Sequence, residues 1–408
     1  GTQISSMFLY AINLRKIDFD NFDTSEWTIT SLNGLFNNCY KLQKLDFTGI
    51  DTSNWTITNM SSTFSKCYAL QEINFADVDT TKWYQTATRK DSCYYGCTSL
   101  ETLDLSFRNL EGSNISTINS EFSSCASLKK LILGDINTSN WALDYNVNAI
   151  SSVFSYCHSL EELDFSKVDL SGMSQTLIYQ LTAPFSYCFN LKRIIFGPKM
   201  IVSDLKFSTF DSVFNNCVSL EEVNFEQLGE IHCQGTATSG WMGLLFNFSC
   251  KLKELKFPKI YIETSSSGRM GSYIFRYSCM LEKIDFSDVD NELCTDFRGD
   301  CIPSNVAYRL KEFRFPKYVG TNSGGTWFAN MYQLEEIYPP ENGFANVNIS
   351  FISTSTENYP NMLSAASVHR IIQALPQATG TKTCTLGAAK RKLTAEDLAI
   401  AVEKGWTI

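Results

Sequence analysis

The stretch FSYCHSLEELDF, residues 154–165, sets a cysteine beside a histidine and follows them with Glu161, Glu162 and Asp164. Read alone, it allows a nucleophile–base pair or a metal site. It does not stand alone. FNNCYKLQKLDF begins at Phe36, FSKCYALQEINF at Phe64, FSSCASLKKLIL at Phe122 and FNNCVSLEEVNF at Phe214. The shared pattern is F-x-x-C-x-x-L-x-x-[LIV]-x-F. With the central leucine as marker, twelve copies fall at Leu14, Leu42, Leu70, Leu100, Leu128, Leu160, Leu191, Leu220, Leu252, Leu281, Leu310 and Leu334, in steps of 24 to 32 residues. Such a period means a solenoid.

Spacing inside each copy predicts its local form. Phe and Cys at i and i+3 share one face of a helical turn. The L-D-F step alternates inward and outward, as a strand does. The expected architecture is α/β: a right-handed solenoid of about twelve coils, with one short parallel strand per coil and helical turns on the opposite face. Two aromatic columns follow, one from Phe8, Phe36 and Phe64 onward and the other from Phe19, Phe47 and Phe75 onward. No coil can bury these rings without its neighbours.

The run CYKLQKLDFTGIDTSNWTITNMSSTF, Cys39 to Phe64, resembles the BspA-like leucine-rich repeats of bacterial surface proteins, and the resemblance extends over about residues 4 to 340. It implies a leucine-rich-repeat protein of the cell surface, or a secreted one, used for attachment. It supplies no catalytic residues. The linkers are longer than that family's usual ones, and the later copies drift. After residue 340 the period breaks. LSAASVHRIIQAL reads as a helix ended by Pro376, TKTCTLG as a strand, and LTAEDLAIAVEKGWTI as a second helix. Thr394 and Asp397 have capping-box spacing, and Gly405 fits a C-terminal stop. The expected division is a solenoid over 1–340 and a helix–strand–helix cap over 341–408, since a solenoid needs a polar terminal cap. Gly1 has no methionine before it, so preceding residues, a targeting segment among them, are expected.

Apolar residues make up 44% of the 408, enough for a large core, and the net charge is -9. That charge argues against nucleic acid, which needs a concentrated basic face. No apolar run approaches the ~18 residues of a membrane span. The histidines His158, His232 and His369 lie in unrelated contexts, and no C-x-x-C or H-x-x-x-H pair exists. Neither a metal nor another cofactor is expected, and no phosphate-binding loop or nucleophile elbow is present.

Of the 14 cysteines, seven form a column that also accepts Ser, Ala and Met. Such a column asks for something small or apolar, and buried thiols behave that way. Cys294 and Cys301 could form a local bridge. The residue after each marker alternates in sign through Glu101, Lys129, Glu161, Lys192, Glu221, Lys253, Glu282, Lys311 and Glu335. Stacked coils would set these charges beside opposite neighbours and so fix register.

Two features are candidates for binding. DTSNW or a close variant places Trp27, Trp55, Trp83 and Trp141 each 13 residues after a marker leucine. They form either a buried loop column or a row of exposed indoles for a sugar or protein. The outward strand position begins Asp18, Asp46, Asn74 and Asp104 and then becomes mixed. It is either solvated surface or an acidic strip on the open sheet face, where solenoids bind. The sequence therefore points to a non-enzymatic, monomeric surface or secreted protein that presents a repeat surface to a host or neighbouring-cell protein or glycan. The alternatives are a carbohydrate-active enzyme, which needs a pair of carboxylates that does not recur in every coil, and a structural spacer.

Overall fold

The computed structural model describes residues 3–19, 22–80, 82–83, 88–106, 115–137, 151–169, 178–197, 205–225, 229–233, 241–263, 270–271, 273–293, 308–319, 327–328, 331–351 and 362–408. Trp141, Cys294 and Cys301 lie outside them. The chain divides into two compact units, Gly1–Leu205 and Lys206–Ile408.

In the first unit the L-D-F segments are strands, and each pairs in parallel with the segment one repeat away. Lys44–Asp46 pairs with Glu72–Asn74, Thr102–Asp104 with Lys130–Ile132, and Glu162–Phe165 with Arg193–Phe196. A second set of parallel pairs follows each copy: Thr88–Arg89 with Ile115–Thr117, and Ile136–Asn137 with Val168–Asp169. The second unit repeats the plan. Glu254–Lys256, Lys283–Asp285, Glu312–Arg314 and Glu336–Tyr338 form one parallel ladder. Glu230–Cys233, Lys259–Ile262 and Val289–Asp290 form another. The fold is a parallel β-solenoid with little helix.

The strand period places alternate residues inside. Leu45, Leu103 and Leu163 are buried, whereas Lys44 and Glu162 are exposed. Every marker leucine from Leu42 to Leu191 in the first unit is fully buried. The aromatic column is a run of near-parallel rings: Phe8 on Phe36 at 5.3 Å, Phe36 on Phe64 at 5.9 Å, Phe64 on Tyr94 at 5.4 Å and Tyr94 on Phe122 at 5.6 Å. In the second unit Phe214, Phe246 and Phe275 continue the pattern, and Phe257 meets Phe246 edge-on at 77°. Such rings contribute through area and through these preferred geometries.

The opposite face differs from the expectation of helical turns. Among the described residues, the repeats carry consecutive tight turns there. In coil after coil the residues two before and two after the column aromatic have positive φ. The pairs include Ser6 and Tyr10 around Phe8, Gly34 and Asn38 around Phe36, Ser62 and Lys66 around Phe64, and Ser152 and Tyr156 around Phe154. The N–H groups then alternate in direction. Those of Gly34, Phe36 and Asn38 donate to the carbonyls of Ser61, Thr63 and Ser65 in the next coil, at 3.0, 2.8 and 2.9 Å. Between them, Leu35, Asn37 and Cys39 donate back three residues, to Leu32, Gly34 and Phe36, each at 3.1 Å. A helix would keep all of these bonds inside one coil. Here half of them tie the coil to its neighbour, which offsets the roughly 1–2 kcal/mol that a non-glycine residue loses in the left-handed region.

After the last repeats come two helices, α1 over Ala365–Gln373 and α2 over Ala395–Glu403, with the strand Lys382–Thr385 between them. Thr394 and Asp397 form a complete capping box at the start of α2, and Gly405 follows its end with φ +78°. His369 on α1 hydrogen-bonds Asp397 at 2.6 Å. Burial alone would raise the Asp397 carboxyl, but its hydrogen bonds from Thr394 and His369 hold it below the usual value. No helix among the described residues is long and apolar enough to cross a membrane.

Candidate functional site

The opening cysteine–histidine pair separates at once. Cys157 is fully buried, and His158 lies half-buried on the turn surface with its ring stacked on Phe189 at 4.7 Å. Cys157 Sγ donates to the Phe122 carbonyl of the preceding coil at 3.1 Å. The same bond recurs from Cys39 to Phe8, Cys67 to Phe36, Cys97 to Phe64, Cys125 to Tyr94 and Cys188 to Phe154, always at 3.1 Å. In the second unit Ser249 and Ser278 replace the thiol and donate from their hydroxyls to Phe214 and Phe246. Where the column carries Cys or Ser, the side chain is small and also donates, a contribution beyond being small or apolar. Burial pushes the Cys39 thiol up to about 11 and that of Cys157 well above its ordinary value. These are not thiolate nucleophiles. Among the described residues no three His, Cys, Asp or Glu side chains could together hold a metal ion.

The charge column pairs as the alternation predicts, with a direction. Three of the four lysines reach back one coil: Lys129 to Glu101 at 3.0 Å, Lys192 to Glu161 at 2.7 Å and Lys311 to Glu282 at 2.8 Å. Glu221 is met by Lys251 at 3.9 Å, a residue two positions before the expected Lys253. The hydrogen bond from Lys192 is the main reason the Glu161 carboxyl sits below its ordinary value, and Lys311 does the same for Glu282.

Among the described tryptophans of the candidate row, Trp55 and Trp83 are not exposed indoles. Trp55 and Trp83 are 3% and 2% exposed and stack on each other at 6.2 Å with planes 5° apart. Trp27 is half-buried. The DTSNW loop around them is a stacking device. Thr52 Oγ1 accepts the Asp79 N–H of the next coil at 2.7 Å, just as Thr24 Oγ1 accepts that of Asp51 at 2.7 Å. Asp51 folds its own loop by accepting the Ser53 N–H at 2.9 Å. Burying the threonine and the indole together closes each coil on the next, which removes Trp55 and Trp83 as surfaces for a ligand.

In the first unit the outward strand position remains accessible. Asp18 and Asp104 are exposed, and Asp46 and Asn74 are half-buried. Lys16 pairs with Asp18 at 3.2 Å. Asp46 Oδ1 accepts the Thr48 N–H and hydroxyl at 3.0 and 2.6 Å, and Asn74 Nδ2 at 3.0 Å. The Thr48 hydroxyl is the main cause that holds the Asp46 carboxyl below its usual value. Asn74 accepts from Ala76, Asp104 from Ser106, Asp164 from Ser166 and Asp285 from Ser287 in the same way. One oxygen of each side chain therefore terminates its own strand.

A covariation follows from this. Where the outward residue has no acceptor, the residue two places on changes type. Ile132 and Ile195 are followed by Gly134 and Gly197, whereas Lys256, Arg314 and Tyr338 are followed by Pro258, Pro316 and Pro340. Proline has no N–H and needs no acceptor. Glycine lets the backbone press on the coil below: a Cβ on Gly134 would lie 2.8 Å from Ser106 Cα, and one on Gly197 would lie 2.5 Å from Ser166 O.

At the first of these changes a concavity opens. Lys129, Lys130, Ile132, Gly134, Glu162, Asp164 and Lys167 line a groove of about 350 Å³. Lys167 also lies 4.0 Å from Asp135, and Arg193 pairs with Glu162. Reading the outward position as acidic and then mixed overlooks this groove. The legible signal is the step from Asp104–Ser106 to Ile132–Gly134.

Residues 2–93 match the family described as Mycoplasma protein of unknown function, DUF285. Among solved structures, a leucine rich cell surface protein from Faecalibacterium prausnitzii is 14% identical, with 88% of this chain and 72% of that one covered and a TM-score of 0.35. A leucine-rich repeat protein from Bacteroides ovatus is 15% identical, with 96% and 84% covered and a TM-score of 0.40. This chain resembles leucine-rich-repeat cell-surface proteins. An internalin from Listeria monocytogenes is 14% identical over 88% of this chain and 80% of that one, with a TM-score of 0.22. No curated protein matches the sequence.

Proposed function

We propose that this repeat protein is a non-enzymatic interaction module of the cell surface or secreted space, and that it binds a protein or glycan of a host or neighbouring cell through the outward face of its strands. The observation that carries the reading is the fixed outward row. Hydrogen-bonded parallel strands hold these residues in register, each strand ends in its own turn, and the row contains the groove around Ile132. A preorganised face of this kind loses little side-chain freedom on binding. The mixed lysine and carboxylate lining suits a protein segment carrying both charges. Asp18, Asp46, Asn74 and Asp104 extend the same face. Residues 341–408 serve as the polar end of the array.

The test is a screen of host-cell surface proteins and a glycan array against the wild type and two groove variants, Lys130→Glu and Ile132→Asp. Both positions are outside the hydrophobic layers, so circular dichroism should show the fold intact. Loss of a wild-type ligand in the variants supports the reading. A ligand that both variants bind unchanged would remove the groove. A folded wild type that binds nothing in either screen would favour a spacer.

A further inference from the structure

In two consecutive coils of the second unit the cysteine leaves its column. Ser249 and Ser278 take the buried place, and Cys250 and Cys279 follow one residue later. In other coils that later position carries surface side chains such as Tyr40 and Tyr68. Cys279 is exposed and Cys250 half-buried, whereas the column thiols are fully buried.

The two displaced thiols also point differently. The thiols of Cys39, Cys67, Cys97, Cys125, Cys157 and Cys188 are aimed at a phenylalanine or tyrosine carbonyl of the coil before. Cys250 Sγ instead lies 3.4 Å from the Tyr277 carbonyl in the next coil, and Cys279 Sγ lies 4.0 Å from the Cys250 carbonyl, so each thiol leans toward the other's coil. They occupy equivalent places in adjacent coils. Parallel neighbours about 4.8 Å apart fall inside the roughly 4.4–6.8 Å Cα separation that a disulfide spans. The column thiols are instead fully buried, which closes them to a small disulfide in solution.

We propose that Cys250 and Cys279 form a surface dithiol that is oxidised by a low-molecular-weight disulfide to an intercoil bridge. The exposed Cys279 loses its proton and attacks one sulfur of the small disulfide, forming a mixed disulfide and releasing one thiolate. Cys250 then loses its proton and attacks the Cys279 sulfur, releasing the second thiolate. The two protons end on the two small thiols. Two protein thiols are oxidised by two electrons, and one small disulfide is reduced. Desolvation raises the Cys250 thiol, which leaves the first attack to the exposed Cys279. The bridge would pin two coils at the turn face.

The test uses the full chain, folded, with glutathione disulfide as the probe and N-ethylmaleimide to mark the thiols that remain. The expected result is a cross-linked peptide pair containing Cys250 and Cys279, loss of maleimide at both, no retained glutathione, and a higher Tm than the reduced protein. Cys250→Ser should instead hold glutathione on Cys279, and Cys279→Ser should show neither bridge nor Tm rise. Circular dichroism confirms that both variants fold. Wild-type protein that keeps glutathione on Cys279 while Cys250 still takes maleimide would overturn the proposal. So would a bridge formed only in denaturant, or no reaction at either thiol.

Discussion

The cysteine column can be tested at Cys157, where two explanations of the same residue give opposite orders. The Phe122 carbonyl accepts two bonds, from Cys125 N at 3.1 Å and from Cys157 Sγ at 3.1 Å, and Cys157 is fully buried. Cys157→Ala removes one heavy atom from a packed site, which costs about 1 kcal/mol with the cavity it leaves. It also removes a hydrogen bond worth about 0.5–1.5 kcal/mol, at the low end because S–H is a weak donor. The sum is about 1.5–2.5 kcal/mol. Cys157→Ser keeps a donor and most of the volume, as Ser249 and Ser278 do at equivalent places, and should cost about 1 kcal/mol or less. With an m near 2 kcal/mol/M in urea, the alanine midpoint should fall by roughly 1 M and the serine midpoint by no more than about 0.5 M. Unfolding followed by far-UV circular dichroism gives the midpoints, and an unchanged m shows that they compare like with like. If the column asks only for something small and apolar, alanine will be the better replacement. An alanine midpoint at or above that of serine would refute the donor role.

Other outcomes follow from the same geometry. In native protein Cys279 should react with maleimide at least tenfold faster than Cys157, and denaturant should abolish the difference; fast native labelling of Cys157 would reopen its chemistry. Lys192→Glu should lower the Tm more than Lys192→Gln, because it sets a like charge against Glu161; equal effects would remove the register role of the column. The Glu161 carboxyl is held below its ordinary 4.5 by Lys192, so its contribution is present above about pH 4.5 and is lost as the pH falls through the lower folded value. The Tm gap between wild type and Glu161→Gln should therefore narrow with acidification, and a gap that widens would reverse the assignment. Gly134→Ala should destabilise more than Gly49→Ala. Both have positive φ, at about 1–2 kcal/mol for alanine, but only at Gly134 would the new Cβ meet backbone, 2.8 Å away; equal midpoints would show that the contact relaxes freely.

The strand face was legible because its signal is local and two-fold. Leu45, Asp46 and Phe47 alternate in sequence and in burial, and the step of 28 residues to Ile73, Asn74 and Phe75 is the register of the ladder. The opposite face was misread because Phe36 and Cys39 at i and i+3 suit a helical turn and a chain of tight turns equally well. What separates the two is the residue at the left-handed positions, such as Ser6, Gly34, Ser62 and Ser92, and that signal fades where Leu244 or Tyr273 takes the place. Trp55 and Trp83 were ambiguous for another reason. Asp, Thr, Ser and Asn in DTSNW look solvated, yet Thr24 and Thr52 are buried because each accepts a backbone N–H from the next coil. The alternating charges were legible at Lys129, Lys192 and Lys311, since their pairing depends only on coils being neighbours, whereas at Glu221 the partner is Lys251 instead of Lys253. The groove at Ile132 could have been found from the paired change of the outward residue and the residue two places later, a relation between positions that a single-column reading overlooks.

The alternating N–H pattern of the turn face bears on force. In a solenoid with helices behind its strands, one hydrogen-bonded seam joins successive coils and the rear contact is side-chain packing. Here Gly34, Phe36 and Asn38 add a second backbone seam behind the first. A pull along the stack is then shared between two zippers on opposite sides, and a coil cannot hinge open about its strand edge without breaking three short bonds at the back. Bending stiffness rises with the separation of two such seams, as in a beam with two flanges. The tight turns that replace the expected helices thus make each unit stiff along its stacking direction.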